Sequence, residues 1–138
     1  MAKTRGRRPQ PVEGTVATIP TVATDHNKDT PKFCLRHLQS GFDVGNLSRD
    51  GQASFAMALQ KRASMTWLEI IQANRHGLGS ENIPRSAIKA RIPPHFADAE
   101  QFLVLRYDGR KPMAGVRTGA IFHILWIECE FNELYAHS

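Results

Sequence analysis

The stretch from Phe102 to Ile127, FLVLRYDGRKPMAGVRTGAIFHILWI, constrains the fold most, because it combines the long apolar runs of the chain with two turn signals. It reads as a three-stranded antiparallel meander. Phe102 to Tyr107 is rich in aromatic and branched residues, Asp108-Gly109 is a turn dipeptide, and Met113 to Arg117 returns alongside. Thr118-Gly119 supplies a second turn, and Ile121 to Ile127, IFHILWI, follows without alternating polarity. Regular pleating puts Phe122, Ile124 and Trp126 on one face and Ile121, His123, Leu125 and Ile127 on the other. A strand apolar on both faces is expected at the sheet's centre, covered on both sides. Its seven residues are too few to cross a membrane as a helix.

The 138 residues fit one domain, and a hydrophobic fraction of 41% is enough for one core. Lys and Arg number 18 against 13 Asp and Glu, but Lys3, Arg5, Arg7 and Arg8 crowd the first eight residues. The remainder is close to neutral and shows no basic stripe, which argues against a dedicated nucleic-acid binder. Cys34 and Cys129 are far apart and have no metal-ligand partner at short spacing. No apolar segment follows the basic start, so the chain reads as cytoplasmic with reduced, structural thiols.

Residues 1–31 carry four prolines among Thr, Lys, Asp and Asn without helical or strand period, and read as a disordered basic tail. Lys32 to Gln39 reads as a first strand whose ending could equally begin a short helix, and Gly41, Gly45 and Asn46 mark the loop after it. From Asp50, Phe55, Leu59 and Arg62 or Ala63 fall at helical spacing. Thr66-Trp67-Leu68-Glu69 has the form of a capping box opening a second helix, which Gly77 or Gly79 is expected to end. Trp67, Ile70 and Ile71 give this helix an apolar face, and Trp67 and Trp126 are expected to share one core. Ser86 to Ile92 lies between Ile83-Pro84 and Pro93-Pro94, as an edge strand or an irregular connector. The polar end ECEFNELYAHS retains Phe131, Leu134 and Tyr135 as docking groups. The expected fold is α+β: a two-helix hairpin on one face of a four- or five-stranded, mainly antiparallel sheet, occupying residues 32–138 as a single domain.

This order of strand, two helices and antiparallel strands resembles the architecture of RelE and ParE type toxins. The strings TWLEIIQANRHGLGSENI and MAGVRTGAIFHILWI further resemble the SocB type of toxin from bacterial toxin and antitoxin pairs. That resemblance implies growth arrest through binding of the replication sliding clamp, a cognate antitoxin, and removal by proteolytic machinery when the antitoxin is present. It implies neither a cofactor nor a membrane.

Clamp ligands begin with Gln and place large apolar residues two or three positions on, to fill a groove while the glutamine amide fixes the end. Gln52-Ala53-Ser54-Phe55-Ala56-Met57 has that outline, with Gln52, Ser54, Phe55 and Met57 as the contact residues. A second candidate is Gln39-Ser40-Gly41-Phe42-Asp43-Val44, in a loop. The competing reading makes Phe55 and Leu59 the core face of the first helix, with Gln52 in its first turn. The enzymatic alternative, implied by the RelE side of the fold, is a ribosome-dependent ribonuclease. It needs cations for the charge developing on the scissile phosphate and an acid or base for the 2'-hydroxyl proton. Arg106, Arg117 and Tyr135 are the first candidates, on the expectation that the two arginines share a sheet face, and Arg75, His76, His123 and His137 complete the set. A third reading is a non-toxic protein-binding domain. No two histidines are at i, i+4 spacing, no CxxC occurs and no glycine-rich phosphate loop follows a strand, so no metal or cofactor is expected.

Overall fold

The computed structural model describes residues 25–75 and 77–137. The tail over 1–24, His76 and Ser138 lie outside the described residues. The elements in chain order are β1 (Lys32–Cys34), α1 (Arg49–Ala63), α2 (Trp67–Gln72), β2 (Ser80–Pro84), β3 (Gln101–Asp108), β4 (Lys111–Thr118) and β5 (Ile121–Ile127). The strands form one mixed sheet in the order β1-β5-β4-β3-β2, with both helices on one face, so the chain is an α+β domain.

The meander forms as its local signals dictate. β3, β4 and β5 pair antiparallel through turns at Gly109 and Gly119, whose φ values of 59° and 63° are left-handed and suit residues without a Cβ. α1 starts at Ser48, whose hydroxyl accepts the Gly51 amide at 3.0 Å. The capping box of α2 forms in full: the Glu69 amide donates to Thr66 Oγ1 at 3.2 Å, and the Thr66 amide to Glu69 Oε1 at 2.8 Å.

Four expectations need correction. First, β1 is a three-residue parallel partner of β5, not an eight-residue strand, and its place outside β5 makes β4 the central strand. Second, α2 stops at Gln72, because the Asn74 carbonyl accepts both the Gly77 and Gly79 amides and turns the chain back into β2. Third, β2 was not foreseen: in SENIP Ile83 is the lone apolar residue, and Pro84 closes a short edge strand that no internal period marks. Ser86 to Ile92 is an irregular connector. Fourth, residues 25–31 belong with the fold rather than the tail: the Asp29 carbonyl accepts the Trp67 amide at 2.9 Å, and Pro31 is buried.

The two sheet faces carry separate cores. Under the helices lie Phe55, Trp67, Ile70, Leu105, Tyr107, Met113, Phe122, Ile124 and Ile127. On the far side lie Ile83, Phe102, Val104, Ala114, Leu125, Trp126, Leu134 and Tyr135, closed over by Ile88, Ile92 and Phe96 of the connector and by Phe42. A bulge explains why Trp126 and Trp67 do not share a core. Ala114 pairs with Trp126 and Gly115 with Ile124, so Leu125 is an extra residue that reverses the alternation of β5. Leu125 and Trp126 consequently face away from the helices, and Ile127 faces them. The C-terminal segment docks on the far face through Leu134 and Tyr135, whereas Phe131, expected to dock with them, is exposed. Glu128, fully buried, accepts the Leu134 amide at 3.0 Å and pairs with His137 Nε2 at 3.2 Å.

Candidate functional site

α1 carries Gln52, Ser54, Phe55 and Met57 on different sides. Phe55 is 5% exposed and meets the Tyr107 ring edge-on at 6.2 Å, so it is a core residue. Gln52 is exposed, but its Nε2 donates to the Val44 carbonyl at 3.0 Å and ties the preceding loop to the helix. Met57 projects outward at 49% exposure, and Ser54 is half-buried at the edge of a cleft. The six residues are helical rather than extended, so Phe55 and Met57 do not reach one groove together. The second candidate peptide is held against the sheet: the Gln39 amide donates to Leu125 O and the Ile127 amide to Phe42 O. Phe42 packs in the far core.

What remains accessible on α1 includes a patch of small and apolar residues, Ala53, Ala56 and Met57, bordered by Gln52 and Gln60 and flanked by the charges of Arg49, Asp50 and Lys61. Beside this face opens a cleft of about 480 Å³ whose walls include Ser54, Met57, Lys61, Arg62, Leu78 and Tyr107.

The three residues nominated for ribonuclease chemistry do not come together. Arg117 lies on the helix face, its guanidinium 4.4 Å from the Trp67 ring centre and its Nε donating to the Gly119 carbonyl at 2.6 Å. Burial lowers its pKa, and Asp25 and Asp29 act in the opposite sense. Arg106 points to the other face, with Nη2 3.3 Å from Glu81 Oε2, and Arg75 meets the other oxygen of Glu81 at 3.0 Å. Tyr135 sits near this group with a buried hydroxyl that has no hydrogen-bond partner among the described residues. Its pKa is pushed up to about 12, first by burial and then by the Glu81 charge, which makes it a poor proton donor or base near neutrality. The expectation that Arg106 and Arg117 share a face fails because the register shift between Arg106 and Asp108 pairs Arg106 with Pro112, and alternation along β4 puts Arg117 on the opposite face from Pro112.

His123 belongs to a cluster that spacing did not reveal. His37 stacks on His95 with ring centres 4.8 Å apart and approaches His123 at 6.1 Å, while Phe96 lies 5.6 Å from His123. The cluster fastens the 93–96 turn to the chain after β1. Burial lowers the His37 pKa first, and His95, Arg36 and His123 lower it further; no acid is among the causes. A base with a depressed folded-state pKa binds fewer protons folded than unfolded, so stability rises with pH through that window. Stability should therefore be full above about pH 6.5, the unfolded value, and fall as the pH drops toward the lower folded value. Denaturant midpoints at pH 7.5 and pH 5 check this. His37→Gln should flatten the difference, and an unchanged drop would assign it to other groups.

Among the described residues no group of His, Cys, Asp and Glu is placed to hold a metal ion. Both cysteines are free thiols, half-buried, and Cys129 Sγ donates to the Asn46 carbonyl. No described helix is long and apolar enough to cross a membrane. The class defined by this geometry is a small α+β domain with an exposed patch of Ala53, Ala56 and Met57 on α1 and a cleft beside it that Lys61 and Arg62 border. Comparison with protein-family models, curated proteins and solved structures finds no match.

Proposed function

We propose that this chain is a partner-binding domain that acts without catalysis, and most concretely a toxin that arrests replication by binding the sliding clamp through the outer face of α1. The observation that carries the binding reading is that face itself: Met57 stands out at 49% exposure beside Ala53 and Ala56, with Gln52 and Gln60 at the border and Arg49, Asp50 and Lys61 as a charged rim. Methionine adapts to irregular apolar surfaces, and an apolar face with polar edges suits protein contact. The choice of the clamp, and of an antitoxin and proteolytic machinery as further partners, rests on the sequence resemblance alone. The dispersal of Arg106, Arg117 and Tyr135 over two sheet faces favours binding over ribonuclease chemistry.

Met57→Glu is the cleanest test, because the side chain is exposed and its loss leaves the core intact. Stability should change by less than about 0.5 kcal/mol. Binding to purified clamp should weaken by at least about tenfold, since a charge is forced into an apolar contact, and growth arrest on expression should disappear with it. Gln52→Ala is less clean, because it also removes the bond to the Val44 carbonyl, worth about 1 kcal/mol. Clamp binding that survives Met57→Glu would eliminate α1 as the contact face. Growth arrest that survives with messenger RNA cleaved on ribosomes would move the assignment to the nuclease.

A further inference from the structure

Arg62 is an unusual residue to find where it is. It is 1% exposed, and it hydrogen-bonds neutral carbonyls alone: Nε to Leu78 O at 3.1 Å, Nη1 to Ala58 O at 3.2 Å and Nη2 to Gly77 O at 3.3 Å. A buried guanidinium is ordinarily matched by a carboxylate, because desolvating a lone charge is costly. No ion pair joins Arg62 to a carboxylate among the described residues. Burial alone draws its pKa down to about 10, with no acid raising it, and it is still a cation at neutral pH. Three of the five guanidinium N–H groups are used by these carbonyls.

This cation borders the cleft beside α1. Lys61 is also on its walls, against one carboxylate, Asp108, while Arg106 borders the cleft from β3 with its guanidinium turned to the other face, toward Glu81. The cleft therefore sets Lys61 and Arg62 against Asp108, an excess of one positive charge. Ser54 adds a hydroxyl, and Met57 and Leu78 form an exposed apolar shelf. The volume of about 480 Å³ is that of a small-ligand site rather than a crevice for one ion.

We propose that the cleft between α1, the Gly77–Leu78 turn and the end of β3 binds a phosphorylated small molecule of nucleoside monophosphate size. Lys61 and the field of Arg62 hold the phosphoryl group, and the Met57–Leu78 shelf holds its apolar body. A phosphoryl group suits the site better than a simple carboxylate, because it carries more charge and more acceptor oxygens for two cations and a hydroxyl. The competing account is that both cations merely offset the C-terminal dipole of α1, in whose last turn they lie. It explains the contact of Arg62 with the Ala58 carbonyl but not those with Gly77 and Leu78, and it leaves the cleft without a role. Met57 belongs to both this cleft and the proposed clamp face, but the assay contains no partner protein, so its failure is distinguishable from failure of the clamp reading.

The test is calorimetric titration of the full chain with adenosine 5'-monophosphate, inorganic phosphate and adenosine at matched ionic strength. The monophosphate should bind saturably, phosphate should compete with it, and adenosine should not bind. Lys61→Ala, at an exposed position, should weaken binding by about tenfold with an unchanged melting temperature. Arg62→Lys keeps the charge and loses the fork to the carbonyls, so it should lower the melting temperature while retaining part of the binding. Absence of saturable binding by either phosphate-bearing probe overturns the proposal, as does a Lys61→Ala variant that binds like the parent. Binding of a ten-nucleotide single strand without binding of the monophosphate overturns it in favour of a nucleic-acid interface.

Discussion

Replacing Trp126 by alanine should cost about 3–5 kcal/mol, a large share of the stability of a domain this size. The indole is fully buried on the far face of the sheet, edge-on to Phe102 with ring centres 5.0 Å apart, and the connector above it holds only the single-turn 3-10 helices Arg85–Ala87 and Pro94–Phe96 with which to fill the space. Trp67 is equally buried, but on the helix side, where its indole N–H donates to the Ala120 carbonyl at 2.9 Å. With the two rings in separate cores, their substitutions should add to within about 0.5 kcal/mol. Two alanines together would approach the whole stability, so the cycle is better run with phenylalanine. Trp126→Phe should cost little beyond lost contact, because its indole N–H has no partner among the described residues, whereas Trp67→Phe also removes a hydrogen bond to the Ala120 carbonyl, which keeps the Lys32 amide as donor. Urea denaturation of the two singles and the double measures the coupling. A coupling above about 1 kcal/mol would mean that the rings share a core after all and that the bulge is misplaced.

Gly115→Ala should abolish cooperative folding. A Cβ on Gly115 would lie 1.8 Å from the His123 carbonyl oxygen and 3.1 Å from Ile124 Cα. Both are backbone atoms of β5, so no rotamer change relieves the clash, and the central strand pair has to separate. The position is where the extra residue of β5 presses its backbone against β4, and glycine there permits the close approach. Because both cores meet this strand pair, the loss should exceed about 4–5 kcal/mol. Gly45→Ala serves as the control, since its nearest neighbour would be 3.6 Å from the new methyl and the site is exposed. Near-ultraviolet circular dichroism and denaturation of the two variants decide the matter. A folded Gly115→Ala chain with a midpoint near that of the parent would contradict the register across β4 and β5.

Only the sequence was needed for features governed by neighbouring residues. The ends of β5, the two glycine turns of the meander and the reciprocal bonds between Thr66 and Glu69 follow from pairs of residues within four positions of each other, whose backbone preferences are intrinsic. Helical spacing even set Arg62 on the apolar stripe with Phe55 and Leu59, and a cation at such a position was the one available sign of the cleft. Tertiary structure decided the rest. One inserted residue, Leu125, sends Trp126 to the far face, and nothing in IFHILWI marks it, because a run apolar on both sides tolerates either phase. β1 and β2 are strands by virtue of their partners, being too short to carry a period of their own. Gln52 to Met57 was legible as a string, but which of its residues faces a partner depends on the rotation of α1 against the sheet, and that rotation takes Phe55 inward. Arg106 and Arg117 likewise acquire opposite surroundings from their registers. Pairing between distant segments is chosen by the total burial it achieves, a quantity that no local window of sequence contains.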